Sequence, residues 1–581
     1  FHRDEIRGDG TSGLYQLSNT PIVANSDLVR IEVRDRFDSG QVLSSTQLAR
    51  FLDYNLDSVS GTIFFKRPIP SRDTEFNPIY IVAEYESAST NADDLVAGGR
   101  GSIRVAGDAV EIGVTRVDDS TTGAEANLTG VDLRWQVNEQ TLVKAEYAKT
   151  NPTDGGSELS GNAQSIELEH NGENLDVRAY IREVDNDFGL GSQSAADKGF
   201  RRIGVDARAT FAERFTVEGE AGWQQNLETE DIRNLVRAQL RYERQRFTAS
   251  LGLVHAEDDF EDGDTRKSDL AELGVQHAFL DGKLTLRASG STALGSGEAE
   301  SADFPTRIVL GADYSILKNV DLIAEWEDSS GQGIDATMTR LGIRAEPWSR
   351  AQVNSYLTEE VTEFGPRLFA NVGLLQSFQL NERWTLDVGV DQTNTLSDAS
   401  ARPLDTDREL ASGSLNEDFL AVYTGAMYSA EDWSANSRLE YRNSDSEERT
   451  SVLVGWYRQP GSGHGVSASL TLLQSDNVNG TEITAADMKA GWAYRPARGK
   501  WSFLDRLDLI YEDASSPTSN QDSWRFINNF NANRRISASA QLSLQYAFKY
   551  VRSDFDGDGY TGFSDLIGLD YRRGIKGSWD M

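Results

Sequence analysis

The chain has 581 residues, with 92 acidic side chains against 57 basic ones and a net charge of −35, a balance that excludes a phosphate-backbone partner bound through excess Lys and Arg. Apolar residues make up 38% and aromatic ones 9%, so the chain has enough material to fold and is no acidic disordered tail. It contains no cysteine, which excludes disulfides, thiol catalysis and Cys-ligated zinc. No run of about 18 apolar residues occurs, so a helical membrane span is excluded, while a barrel of short alternating strands is not.

In chain order, residues 1–88 read as a small β-sandwich domain. Its strands are "LVRIEVRDR" (28–36), "ARFLDYNLD" (49–57), "GTIFFKRPI" (61–69) and "IYIVAEYE" (79–86), separated by polar turns. Residues 89–98 read as a linker. From residue 99 to 581 one unit repeats: a strand-like run of roughly 10 to 14 residues, then a break. In "LDVRAYIR", Leu175, Val177, Ala179 and Ile181 share one face, opposite Asp176, Arg178, Tyr180 and Arg182; "WTLDVGVD", "VDLIAEWE" and "GVSASLTL" alternate in the same way. Period two over this length means strands with one apolar and one polar face.

The breaks decide the kind of β protein. Short ones such as "NGEN" (171–174), "AER" (212–214), "ERQR" (243–246) and "LDGK" (280–283) alternate with long acidic ones such as 185–199, 257–268 and about 395–418. A membrane barrel has tight turns at one end and long outer loops at the other, whereas a soluble β array has no reason to keep every second connection long. The expectation is therefore an all-β chain: a large transmembrane antiparallel barrel of roughly 26 to 30 strands, preceded by the small domain. Counting runs gives about 27 complete strands and one begun at Gly577, so the chain reads as a piece of a longer polypeptide. Because lumen width grows with strand number, a barrel of this size needs a filled lumen.

The stretch "DFDGDGYTGFSD" has the spacing D-x-D-x-D-G-x₅-D of a calcium loop, with Asp554, Asp556, Asp558, the Tyr560 carbonyl and Asp565 as oxygen ligands. Its flanks read as strands, not the two helices of an EF-hand, so the competing reading is a solvated acidic hairpin. No other cofactor is required. Arg233, Arg237 and Arg241 fall on one side of "IRNLVRAQLRYER" and form a lumen charge stripe; in a wet lumen such charges need no partner. Trp223, Trp326, Trp384 and Tyr242 are expected in the aromatic girdles. For an enzyme only His255 with Asp258 and Asp259 offers a grouping, and neither G-x-S-x-G nor H-E-x-x-H occurs, so the chain is expected not to be one.

The tract "GTSGLYQLSNTPIVANSDLVRIEVRDRFDSGQVLSSTQLARFLDYNLDSVSGTIFFKRPIPSRDTEFNPIYIVAEYE", followed by the strand series, resembles the C-terminal region of very large Gram-negative envelope proteins. In that family extracellular-type repeats precede a small β domain and an outer-membrane barrel. The resemblance implies residence in the outer membrane among lipid and lipopolysaccharide. It also implies a role as anchor or conduit for a protein partner or an upstream segment. A porin-like solute channel and a sealed structural anchor are the alternatives.

Overall fold

A computed structural model describes residues 2–8, 15–20, 22–23, 26–36, 41–48, 50, 53–57, 61–65, 69–73, 77–86, 95–120, 126–154, 157–158, 160–189, 198–212, 214–294, 300–301, 303–331, 334–362, 365–398, 418–445, 447–478, 480–497, 499–517, 520–575 and 579–580. Apart from one 3-10 turn at Leu280–Gly282, every regular element among them is a strand.

The first seven strands build two small sheets. β1 (His2–Arg7), β7 (Ile79–Tyr85), β3 (Leu28–Arg34) and β4 (Val42–Gln47) pair in that spatial order; β2 (Tyr15–Gln16), β6 (Thr62–Phe65) and β5 (Tyr54–Asp57) form the second sheet. Alternate residues of both sheets meet in one core, where Val29, Ile63, Ile81 and Tyr85 are fully buried. The core contains residues of this domain alone, so its apolar burial is complete without the rest of the chain. Three strands were not expected from sequence: β1, whose "HRDEIR" carries five polar or charged side chains, the two-residue β2, and β4, whose "VLSSTQ" lacks apolar alternation.

From Val96 onward, three residues earlier than expected, the chain forms one closed antiparallel barrel. Twenty-seven strands of 10 to 18 residues follow one another around the wall, and the two-residue strand Trp579–Asp580 pairs with Gly574–Ile575 to close it against Val96–Val105. The register fixes which side chains share a face. Val236, Leu251, Leu253, Leu273 and Val275 form a continuous exposed apolar surface across three strands. The opposite face of the same strands carries Arg233, Arg237, Asp258 and Glu272. In a closed sheet with every long strand paired, the apolar face meets hydrocarbon and the charged face lines the lumen.

The ends of the barrel differ, as the spacing of breaks predicts. The tight end holds turns such as Asn138–Thr141 and Arg244–Phe247; the other end holds the long connections, including 185–199 and 399–418. An aromatic belt marks the tight end. Phe211, Phe215, Tyr242, Phe247, His277 and Phe279 run from strand to strand with successive ring centroids 4.2 to 6.2 Å apart. Trp384, Tyr428 and Trp433 continue it at 5.0 and 4.3 Å. Rings with a polar edge suit the membrane interface, and Tyr242 and Trp384 stand where a girdle requires them. Trp223 lies three residues from the long-loop end of Phe215–Asn226, whereas Trp326 sits midway along Val320–Gly331, inside the apolar band and not at its rim.

Candidate functional site

The site is the contact between the small domain and the inner wall. It begins with a loop that folds inward. In the connection between Leu284–Ala293 and Thr306–Leu317, Phe304 is fully buried against Leu235, Val254, Ala256 and Leu270, all on the lumen face. That anchoring places Asp303 over the lumen. Its Oδ2 accepts from Arg233 Nη2 of the wall at 2.9 Å, and its Oδ1 accepts from Arg7 Nη2 at 3.2 Å and Arg72 Nη2 at 3.3 Å, both in the domain. Ser301 Oγ donates to Asp258 at 3.0 Å, and Asp258 is also paired with Arg233, so the hub is held from behind. Burial works against the Asp303 carboxylate, but Arg233, Arg7 and Arg72 outweigh it and hold its pKa well below the usual carboxylate range.

Beside the hub, Arg36 of the domain lies over the Phe304 ring at 5.4 Å and pairs with Glu272 of the wall at 3.2 Å. Across the lumen a second set of contacts repeats the arrangement. Arg50 bridges Asp27 at 2.7 Å and Glu512 of the wall at 2.9 Å, while the Tyr54 hydroxyl donates to Asp27 at 2.5 Å. Burial lowers the Arg50 pKa, but Asp27 and Glu512 more than compensate and hold it above its usual value. Lys549 of the wall pairs with Glu86, which directly follows the domain's strand β7. The strands carrying Glu272 and Glu512 are separated by about half the circumference, so the domain is tied to opposite walls and lies within the lumen.

Open space remains beside it. A cavity of about 950 Å³ lies between Arg72, Asp73 and Ile79 of the domain and the wall from Gly282 to Asn371; another of about 560 Å³ lies between Asp35, Gln41 and the wall from Glu169 to Arg237. A wall of 28 strands spaced ~4.8 Å and tilted ~40° would be about 55 Å across if circular. A folded domain of 86 residues is about 30 Å across. The domain therefore fills the lumen only in part, and its polar contacts, not close packing, hold it there.

The sequence-derived sites fare differently. Arg233, Arg237 and Arg241 do line the lumen, but as partners: Arg233 with Asp258 and Asp303, Arg237 with Glu272, and Arg241 with Glu243 at 2.6 Å. Partners on the same strand, the adjacent strand, the strand beyond it and the inward connection neutralise the stripe, so charges that a wet lumen would leave without need of a partner each have one. The calcium loop is not assembled. The strands Ala540–Phe555 and Asp558–Ile575 run straight to a two-residue turn with positive φ at Asp556 and Gly557. Asp554 accepts from Gly557 N at 2.9 Å, Asp556 accepts from Asn520 N at 2.7 Å, and Asp565 lies down the strand opposite Phe548 on the outer face. Asp554, Asp556, Asp558, Tyr560 and Asp565 thus surround no common point, and no metal-holding group of three acidic or imidazole side chains occurs among the described residues. His255 turns away from Asp258, its ring 2.7 Å from Asp269 on the outer face.

No family model and no curated protein matches the chain. Among solved structures, it is similar to the siderophore receptor PirA from Pseudomonas aeruginosa, at 10% identity over 83% of this chain and 82% of that one, with a TM-score of 0.35. It is also similar to the ferric enterobactin receptor PfeA of the same organism, at 11% identity over 84% and 82% with a TM-score of 0.34. A Rh. blastica porin matches at 12% identity over 48% of this chain and 99% of its own, with a TM-score of 0.24. Likeness at this level says nothing of ligand or partner. The closed antiparallel sheet, its apolar outer face and its charged interior stand on their own: the chain is an outer-membrane β-barrel.

Proposed function

We propose that this barrel is a gated conduit, serving as membrane anchor and passage for a large surface or secreted assembly, with residues 1–86 as a displaceable plug. The observation that carries the reading is the contrast between the two interfaces of the domain. Its interior is a closed apolar core, while its junction with the wall is a set of ion pairs at Asp303, Glu272, Glu512 and Lys549. A unit with its own core, docked through polar contacts, moves as a body without unfolding. A sealed anchor would have no use for a separable core in its lumen. Planar-bilayer conductance of the refolded chain with and without residues 1–86 tests this. A several-fold rise on deletion is expected; equal conductance of the two forms would leave the porin reading in its place.

A further inference from the structure

The domain's four-stranded sheet has two unlike edges. β1, at one edge, is charged and half-buried, with Arg3 paired to Glu84 at 3.1 Å and Arg7 tied to Asp303. β4, at the other, pairs only with β3 among the described residues; its sequence is "VLSSTQ", without a charge or a proline, and all six side chains are exposed. Neither Lys nor Pro blunts this edge, and the one register shift of the ladder, between Val33 and Arg34, lies at the start of β4 and leaves Ser44–Gln47 regular; such an unpaired stretch is a template for another strand. Which backbone groups are on offer follows from the ladder. Leu48 N donates to Val29 O at 2.9 Å, and the register sets Thr46 against Ile31 and Ser44 against Val33. Alternate residues of β4 thus bond to β3, and the amides and carbonyls of Ser45 and Gln47 point to the open side.

The space beside this edge has a charge. Gln41, immediately before β4, and Asp35, whose amide donates to the Gln41 carbonyl at 2.9 Å, form one side of the cavity of about 560 Å³. Glu169, Asp176, Asp206, Glu218 and Glu220 of the wall face them, so six carboxylates with Asp35 stand against three guanidinium groups and the Lys144 ammonium on Glu169. We propose that the free edge of β4 and this acidic wall form a docking strip for an extended basic peptide segment, which joins the domain's sheet as an added strand. Backbone pairing supplies the register and the wall supplies the sign of charge. The proposal rests on the conduit reading and deepens it: the cargo is polypeptide, and it is read while the plug is in place.

The test uses the full chain in detergent and three synthetic probes about eight residues long: an alternating Lys/Val peptide, its Glu/Val twin, and the Lys/Val peptide N-methylated at alternate amides. A protein of net charge −35 attracts any cation, and the methylated probe keeps the charge while losing the ladder. Fluorescence anisotropy should show the methylated and acidic probes each binding at least ~10-fold more weakly than the Lys/Val peptide. Ser45→Pro, which removes an outward amide and no bond to β3, should weaken the Lys/Val peptide by a similar factor. Equal binding of methylated and unmethylated probes overturns the proposal, and so does equal binding of the acidic twin; both comparisons use the unmutated chain. Edge binding without a conductance change on deletion of 1–86 would remove the conduit and keep the strip. A conductance change without edge binding would do the reverse.

Discussion

Asp303→Asn isolates the hub. The change keeps the shape of the side chain and removes the charge on which Arg7 and Arg72 of the domain converge. Arg233 has Asp258 as a second partner, so its share of the loss stays within the wall. Arg72 is 4% exposed and Asp303 13%, so that pair belongs with buried ones, whose disruption costs about 2 to 3 kcal/mol. Arg7 is 28% exposed and adds about 0.5 kcal/mol after screening. A loss of about 3 kcal/mol multiplies the undocked population by ~150; if the Asn amide oxygen keeps part of the hydrogen bonding, the loss of about 2 kcal/mol still gives ~30. Single-channel recording reads this as opening frequency, with a double-mutant cycle through Arg72→Ala to show that the effect runs through the pair. The hub account fails if Asp303→Asn opens no more often than the parent, or if its full effect persists in the Arg72→Ala background. Its pH dependence has a definite sign. Asp303 titrates lower in the folded chain than in the unfolded one, so its contribution is complete above about pH 4 and is lost only as acid passes through the lower folded value. Opening frequencies at pH 5 and pH 8 should coincide in this respect and rise only in stronger acid.

Three further outcomes follow from the wall and its hairpins. Asp565 lies on the outer face among Phe548, Phe563 and Ile567, so Asp565→Leu should raise the urea midpoint of the barrel by an equivalent of about 1 kcal/mol; a calcium-dependent loss of stability would restore the ion-loop reading. Leu253→Arg, on the lipid face in the middle of Phe247–Asp259, should cost about 2 to 4 kcal/mol in a refolding titration, while Gln239→Arg on the lumen face opposite Gly252 should cost less than about 0.5. Phe247→Ala breaks the ring series between Tyr242 and His277 and should lower thermal stability, an effect to be compared with Leu43→Ala on the exposed β4 edge, where no change is expected.

The barrel was legible because its signal is local. Each strand spells its own two faces, as in Leu175, Val177, Ala179 and Ile181, and each turn shows its own length, so even the count of 27 followed. The interior of the lumen was not legible, because it is built from pairs far apart in sequence. Arg50 and Glu512 are separated by 462 positions, and Arg237 finds Glu272 two strands away, which no spacing rule reveals. Phe304 is an ordinary aromatic in an acidic connection until the fold buries it among Leu235, Val254 and Leu270. The calcium motif misled for a related reason: its spacing presumes a coiled loop, and the flanking strands stay extended to Phe555 and from Asp558, which draws the five oxygens out along a ladder. β4 escaped notice for the same quality that makes it interesting, its lack of an apolar face to bury.

The ion pairs that hold the domain also tie two sides of the wall to each other. Arg36 grips Glu272 and Arg50 grips Glu512, on strands about half a circumference apart. A wall one strand thick resists bending only weakly, and a body with its own packed core, fastened at two such points, acts as a spoke across the ring. The domain therefore holds the cross-section of the barrel as much as the barrel holds the domain.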